Sequence, residues 1–599
     1  MANLNKWVRS VALVGAASLS LAACGGGGGS SSTTSSAPAS SAATSSAASG
    51  PQAGGTLYFF QHYAFASTDP TRIYYGIELA NFRRLFYRSL LAFPTSTDPK
   101  VGTTPVPDLA TDTGTTPDNG QTWSFTIKDG VKWQDGSPIT CEDFKYGASR
   151  VFAQDVLTGG PNYLISYLDI PKNKDGSPAY DGPYKGDGQA LYDKAVTCDG
   201  QTITYHFNKP WPDFPLAVAE LMTTDPYKQS FDKGDKSKNT VMSNGPYMID
   251  GSYNWNHDQG ASLVRNPNYD PSTDDPSIRA AYPDKIEYQI STAGGATLVD
   301  QIIADSGPAK CAVTSARISP AQYPQVAQPP VSSRTVDVVS PDTYYLLPNF
   351  DRLTNPLVRQ ALAWATNKTG FIKALGGDKA ASPADSIVNP LAGGYVPNPF
   401  FSQIPPEGDT TKAAALLAQA GVQTPYPITF TYSSDGSGGA VDKAAAALRE
   451  TWDAAGFDTT LDPQSTDYYT YIAKKNKPSD VVWAGWGADW PSAMTVLPPL
   501  FDSRPNISGN NLGQDNGDYV SKDFEALVDQ ASSASSIDQQ NQFLQQADAL
   551  LGTDVAYIPL LNSNFYWIWG SGIVNFTTTP ASSSYAELGD IAVDPSVCS

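Results

Sequence analysis

The chain has 599 residues, a formal charge of -20 and a pI near 4.5, and its 40% hydrophobic and 11% aromatic content is that of a folded protein too long for a single core. So acidic a surface excludes nucleic acid and anionic membrane as electrostatic partners. Three histidines, His62, His206 and His257, have no metal-ligand spacing between them.

In chain order, Lys6 and Arg9 precede an apolar run from Val11 to Leu21 that is too short to span a bilayer, and Leu21-Ala22-Ala23-Cys24 closes it. This order resembles the lipobox of bacterial lipoproteins. It implies lipidation of Cys24, removal of residues 1–23 as a signal peptide, and attachment to the membrane through lipid alone at its extracytoplasmic face. Residues 24–55 are mostly Gly, Ser, Thr, Ala and Pro without periodicity, the composition of a flexible tether. Four further cysteines, Cys141, Cys198, Cys311 and Cys598, suit disulfides in an oxidising compartment, and three pairings are open to them.

Thr122 to Ile127 alternates as a half-buried strand, and Lys128-Asp129-Gly130 is expected to turn it back into Val131-Lys132-Trp133. Thr140-Cys141-Glu142-Asp143 has the spacing of a capping box with Asp in the acidic place, which opens a helix from Glu142 to about Phe152. Tyr344 to Phe350 reads as a strand. Asn355-Pro356 then starts a helix with Leu357, Val358, Ala361, Leu362 and Ala365 on one face, stopped by Gly376-Gly377. A helix from Lys412 to Ala420 is capped by Gly421. Strand Ile428 to Tyr432, helix Val441 to Ala455 and strand Phe457 to Leu461 form a βαβ unit, which calls for a parallel sheet. Val481-Val482-Trp483 should join that sheet, placing Gly485, Gly487 and Asp489 at a carboxyl end, where open α/β sheets bind ligands. Phe524 to Leu551 is expected as one polar helix and Ala556 to Leu560 as a last strand.

A carboxylate among Trp483, Trp486 and Trp490 is costly to bury unless a cation meets it, and that cation can belong to a ligand. The structural alternative for Asp489 is a turn at a strand end. No nucleophile motif, phosphate-binding glycine loop or metal-ligand cluster stands out, so neither an enzyme nor a cofactor is expected.

Pro107-Asp108-Leu109-Ala110, Gln121-Thr122-Trp123-Ser124-Phe125, the run from Gly130 to Thr140, and Glu142-Asp143-Phe144 resemble the signature region of a known family. It is the dipeptide- and oligopeptide-binding family, family 5, of extracellular solute-binding proteins that serve ABC importers. Asn244-Gly245-Pro246-Tyr247, Arg265 to Tyr269, Pro356 to Leu362 and Ala556 to Leu560 keep that family's order, so the resemblance covers roughly residues 54–595. Cys141 stands where the family commonly has Ala, and Asn367-Lys368 where it has Asp-Arg.

The resemblance implies an α/β fold, a two-lobed periplasmic-binding-protein-like clamshell with a third subdomain inserted in the first lobe. Lobe one would be residues 56–340 with the insert at about 94–215, lobe two 341–554, and 555–599 would return to lobe one. On that division the pairing Cys141–Cys198 and Cys311–Cys598 keeps each bridge within one lobe. A peptide would be captured between the lobes by a monomer and delivered to an ABC permease with its ATPase subunits. Asp489 falls on the family's carboxylate for the peptide α-amino group, and Ala484-Gly485-Trp486 on the segment whose backbone pairs with the peptide as an added strand. Trp483 stands where oligopeptide binders can have Arg. Trp486, together with Tyr163 and Tyr167 by weaker positional similarity, is expected on the pocket wall, and Trp483 is counted with the ligand-binding residues of this segment. An oligosaccharide ligand, which twelve tryptophans also suit, and a peptide-sensing receptor without transport are the alternatives.

Overall fold

Two sheets with separate hydrophobic cores make the two lobes. The structure, a computed structural model, describes residues 50–599 apart from 435–438, 466 and 581, so the lipobox-like segment with Cys24 and most of the tether lie outside the described residues. The first sheet has the order Ala312–Thr314, Thr56–Gln61, Lys285–Ile290, Gly260–Arg265, Tyr247–Ile249. The second has the order Ala381–Pro383, Ile558–Ile568, Thr335–Pro348, Val481–Gly487, Tyr426–Ser433, Phe457–Gln464.

The second sheet carries the expected βαβ unit. Tyr426–Ser433 and Phe457–Gln464 run parallel, and the crossover helix Ala440–Ala454 buries Val441, Ala444, Ala445, Leu448 and Trp452 against them. Covered on both faces, the strand Val481–Gly487 opens with four consecutive buried residues, as a strand without a solvent face must.

Two long strands serve both lobes. Thr335–Pro348 and Ile558–Ile568 pair antiparallel from Thr335 beside Ile568 to Leu346 beside Ile558, with register shifts between Val339 and Thr343 and between Tyr344 and Tyr345. Such irregularities bend a ladder and increase its twist. A bridge between Val313 and Trp569 ties the pair to the first sheet.

An inserted third sheet, Thr122–Thr126, Thr202–His206, Val196–Asp199, corrects the hairpin expectation. Trp123 pairs with Tyr205 and Phe125 with Ile203, so the strand's apolar face finds its partner about 80 residues away instead of in Val131-Lys132-Trp133. The latter segment folds over its own Asp135-Gly136 turn, Ile139 donating to the Val131 carbonyl at 3.0 Å.

Local signals elsewhere hold. The capping box between Thr140 and Asp143 is formed and opens the helix Cys141–Arg150. Two helices, however, are each split. Pro356–Ala365 and Lys368–Leu375 are separated where the Asn367 side chain caps the second by accepting from Gly370 N–H, and Lys368 is buried with its Nζ donating to the Ala384 carbonyl at 2.6 Å. Burial lowers that lysine to about 8, so the Asn-Lys pair has a structural function. Lys522–Ser532 and Ile537–Asp554 are likewise separate, because the Ser536 side chain caps the second helix.

Disulfides join Cys141 to Cys198 and Cys311 to Cys598, with Cα atoms 5.9 and 5.7 Å apart. The second fixes the C-terminus to the first sheet, where Thr56 N–H donates to the Cys598 carbonyl at 2.6 Å. Replacing Cys311 and Cys598 together by Ser is expected to cost about 2–5 kcal/mol of stability. The loss should exceed that from the Cys141–Cys198 pair, since the sequence separations are 287 and 57 residues. Unfolding midpoints of the two double variants test this, and equal midpoints would count against it.

Candidate ligand-binding cleft

The strand Val481–Gly487 has unequal edges. One is paired throughout with Thr335–Pro348, from Val481 beside Pro348 to Gly487 beside Asp342. The other meets Tyr426–Ser433 only at Val481 and Val482. The Tyr468 hydroxyl then accepts the Trp483 N–H at 3.1 Å and donates to the Trp483 carbonyl. From Ala484 to Gly487 that second edge has no strand neighbour among the described residues. An open edge of this kind presents backbone donors and acceptors to an extended chain.

The glycines have a steric reason. A Cβ on Gly485 would lie 2.6 Å from the Tyr344 ring, and one on Gly487 would lie 2.8 Å from Asp342 Oδ1. Both positions let a side chain of the neighbouring strand fold across the ladder. Gly485→Ala is therefore expected to cost about 1–3 kcal/mol through overpacking against Tyr344. A denaturant midpoint measures it, and no shift would mean that Tyr344 moves aside freely.

Asp489 follows the strand and is half-buried. Its Oδ1 accepts from the Tyr74 hydroxyl at 2.8 Å, its Oδ2 accepts from the Tyr163 hydroxyl, and its own N–H donates to Thr495 Oγ1 at 3.1 Å. Tyr74 and Tyr163 come from the first lobe and its insert, so these bonds close the lobes over the open strand edge. Burial pushes the Asp489 carboxyl up and the two hydroxyls pull it partly back. Burial and then the Asp489 charge push both tyrosines well above their ordinary range, keeping them neutral donors. No Lys, Arg or His lies within ion-pair distance of Asp489 among the described residues. Among the described residues the carboxylate has two neutral side-chain donors and no counter-charge, which suits an incoming ammonium group.

Trp490 fixes the turn that carries it. Its ring is 2% exposed and edge-on to Tyr163 at 4.7 Å, and its Nε1 donates to buried Asp213 Oδ2 at 2.7 Å. Trp486 is half-buried, its Nε1 donating to the Thr495 carbonyl at 2.8 Å.

Two expected site residues lie elsewhere. Tyr167 is buried and stacks on Trp211 at 4.0 Å beneath Lys209, a layer behind Trp490. The Trp483 side chain packs on one face of the sheet against Tyr344 and Phe371 in lobe two, and its backbone at the second edge is already taken by the Tyr468 hydroxyl. Tyr74, Thr495 and Asp213 were not singled out by the sequence. Of these, only Tyr74 offered a signal, as one of the adjacent pair Tyr74-Tyr75.

The model of the bacterial extracellular solute-binding proteins, family 5, matches residues 104–508. Among curated relatives, the periplasmic oligopeptide-binding protein OppA of Haemophilus influenzae is 23% identical over 470 residues, 74% of this chain and 77% of the relative. The periplasmic murein peptide-binding protein MppA of Escherichia coli is 24% identical over 461 residues, 73% of this chain and 76% of the relative. Among solved structures, clavulanic acid biosynthesis oligopeptide binding protein 2 superposes with a TM-score of 0.78 at 25% identity, over 90% of this chain and 96% of that one.

Proposed function

The chain belongs to the bacterial extracellular solute-binding proteins of family 5, and on that premise we propose that it captures peptides in its interlobe cleft and delivers them to the permease of an ABC importer. The observation that carries this is Asp489, a carboxylate with no cationic partner among the described residues, at the end of an open strand edge. A peptide's α-ammonium meets Asp489, while its backbone pairs with Ala484 to Gly487. At about 4 Å and an effective dielectric near 20, two unit charges attract by about 4 kcal/mol before desolvation is subtracted. Backbone pairing ignores side chains and gives breadth, as a nutrient binder needs.

Closure follows from the same contacts. A ligand that bridges Asp489 in one lobe and the tyrosines of the other binds the closed state better than the open one, and shifts the population by that difference alone. The lipidated Cys24 and the tether would hold the protein at the extracytoplasmic face beside the permease. Among the described residues no helix is long and apolar enough to cross a membrane.

The test is thermal stabilisation of the purified protein by a di- to pentapeptide library and by the same library N-acetylated, with oligosaccharides alongside. A ligand at about 100 times its Kd adds roughly 2.7 kcal/mol, visible as a melting shift. Stabilisation by free peptides alone is the expected result. Stabilisation by sugars alone, or equally by both libraries, would overturn it.

A further inference from the structure

The helix Gly76–Leu85 starts directly after Tyr74 and Tyr75 and carries a second acidic group toward the same region. Glu78 is 1% exposed, and among the described residues no other residue hydrogen-bonds either of its carboxylate oxygens. One turn further on, Asn81 is fully buried with both ends of its amide unpartnered among the described residues. Gln61 is fully buried too, its Oε1 accepting from the Tyr288 hydroxyl at 3.4 Å and its amide facing the Tyr63 hydroxyl. Tyr288 and Tyr63 both feel the Glu78 charge and both meet the Gln61 side chain, which places Glu78 and Gln61 in one neighbourhood. Folded proteins rarely leave buried polar groups unpaired, and an unpaired carboxylate is the costliest kind.

The nearby cations are engaged elsewhere. Arg84 bonds Glu587 through Nε at 2.7 Å, and Arg83 Nη2 donates to the Glu220 carbonyl at 3.1 Å. Glu78 also lines a cavity of ≈ 90 Å³ with Phe65, Tyr74 and Tyr75. Two cations share that lining, Arg72, which is paired with Asp235 at 2.7 Å, and Lys238, which is solvent-exposed; neither forms an ion pair with Glu78. Tyr74 belongs to both places, since its hydroxyl is bonded to Asp489 while its residue lines this cavity. Aromatic walls around a buried carboxylate suit a planar guanidinium or an ammonium, which gains from the ring faces as well as from the charge. Burial pushes the Glu78 carboxyl up to about 8, and its own backbone N–H pulls it only partly back.

We propose that Glu78, on the wall of this cavity, forms a specificity subsite that takes a cationic side chain of the peptide bound at Asp489. This rests on the peptide-binding proposal for the adjoining site, and the experiment separates the two. Calorimetric Kd values are measured for Arg-Ala-Ala and Ala-Arg-Ala and their citrulline analogues, with Ala-Ala-Ala as reference, on the wild-type protein, Glu78→Gln and Asp489→Asn. Nα-acetyl-arginine amide, which lacks the α-amine, is titrated alongside.

The expected result is that wild type favours arginine over citrulline at least ten-fold in one of the two positions. The ratio should fall toward one in Glu78→Gln and persist in Asp489→Asn although both peptides bind more weakly there. Tight Ala-Ala-Ala binding with a wild-type ratio near one overturns the subsite and leaves the peptide proposal standing, as does a ratio that survives in Glu78→Gln. Binding of Nα-acetyl-arginine amide that Glu78→Gln abolishes, in a protein that binds no peptide, upholds the subsite and overturns the peptide proposal. Failure of every probe overturns both.

Discussion

Asp489→Asn is expected to weaken binding of a free peptide by about 2–5 kcal/mol, roughly thirty- to several-thousand-fold, because it removes one partner of a closely held charge pair. The fold should tolerate the change. Asn keeps an oxygen for one of the two tyrosine hydroxyls, and the carboxylate it replaces is destabilised by its own burial. The pH profile supplies a second readout. The pair needs an ionised Asp489 and a protonated peptide amine, so affinity should fall on the alkaline side above about pH 8, where α-amines lose their proton. On the acid side it should begin to fall above the usual carboxylate range, since burial raises this carboxyl. In Asp489→Asn the acid limb should disappear while the alkaline limb weakens. A variant that binds free and acetylated peptides as the parent does would remove Asp489 from the amine site.

The second large effect concerns stability and falls on Asp108, in the Pro107-Asp108-Leu109-Ala110 signature. Asp108 is fully buried, with Oδ1 accepting from Arg88 Nε at 2.8 Å and Oδ2 from Arg279 Nη2 at 2.5 Å. Asp274 completes the cluster on the far side of Arg279 at 2.8 Å. Asp108→Asn leaves two buried guanidiniums with one fewer charge between them, and breaking a buried pair in this way typically costs about 3–5 kcal/mol. Burial alone would raise the Asp108 carboxyl, but Arg279 and then Arg88 overcome it and hold the group well below the usual carboxylate range. A depressed folded-state value contributes stability that is fully present above the unfolded value, about 3.9, and is lost as pH falls toward the folded one. The stability gap between parent and variant should therefore be full at pH 7 and shrink below about pH 4. Denaturant midpoints at pH 7, 5 and 3 measure it, and a gap independent of pH would mean that the carboxylate charge contributes nothing.

What the sequence determined by itself was whatever is settled among near neighbours. The Thr140 and Asp143 capping box, the cap at Gly421, the period of Ala440–Ala454 and the βαβ unit around it depend on side chains a few residues apart, so their hydrogen bonds and apolar spacing can be read directly from the chain. The ordered family motifs likewise carried the two-lobed class and pointed to Asp489. Only the tertiary structure decided the partners. Trp123 and Phe125 chose a strand about 80 residues away over the next turn, and serine and asparagine side chains broke two helices that periodicity alone would have joined. The site itself is of this kind: Tyr74 reaches Asp489 across 415 residues, Trp490 reaches Asp213 across 277, and Tyr167 is turned into a stack behind them. Such contacts depend on how two lobes close, and closure is set by the summed packing of both cores, a quantity that no local stretch of sequence contains.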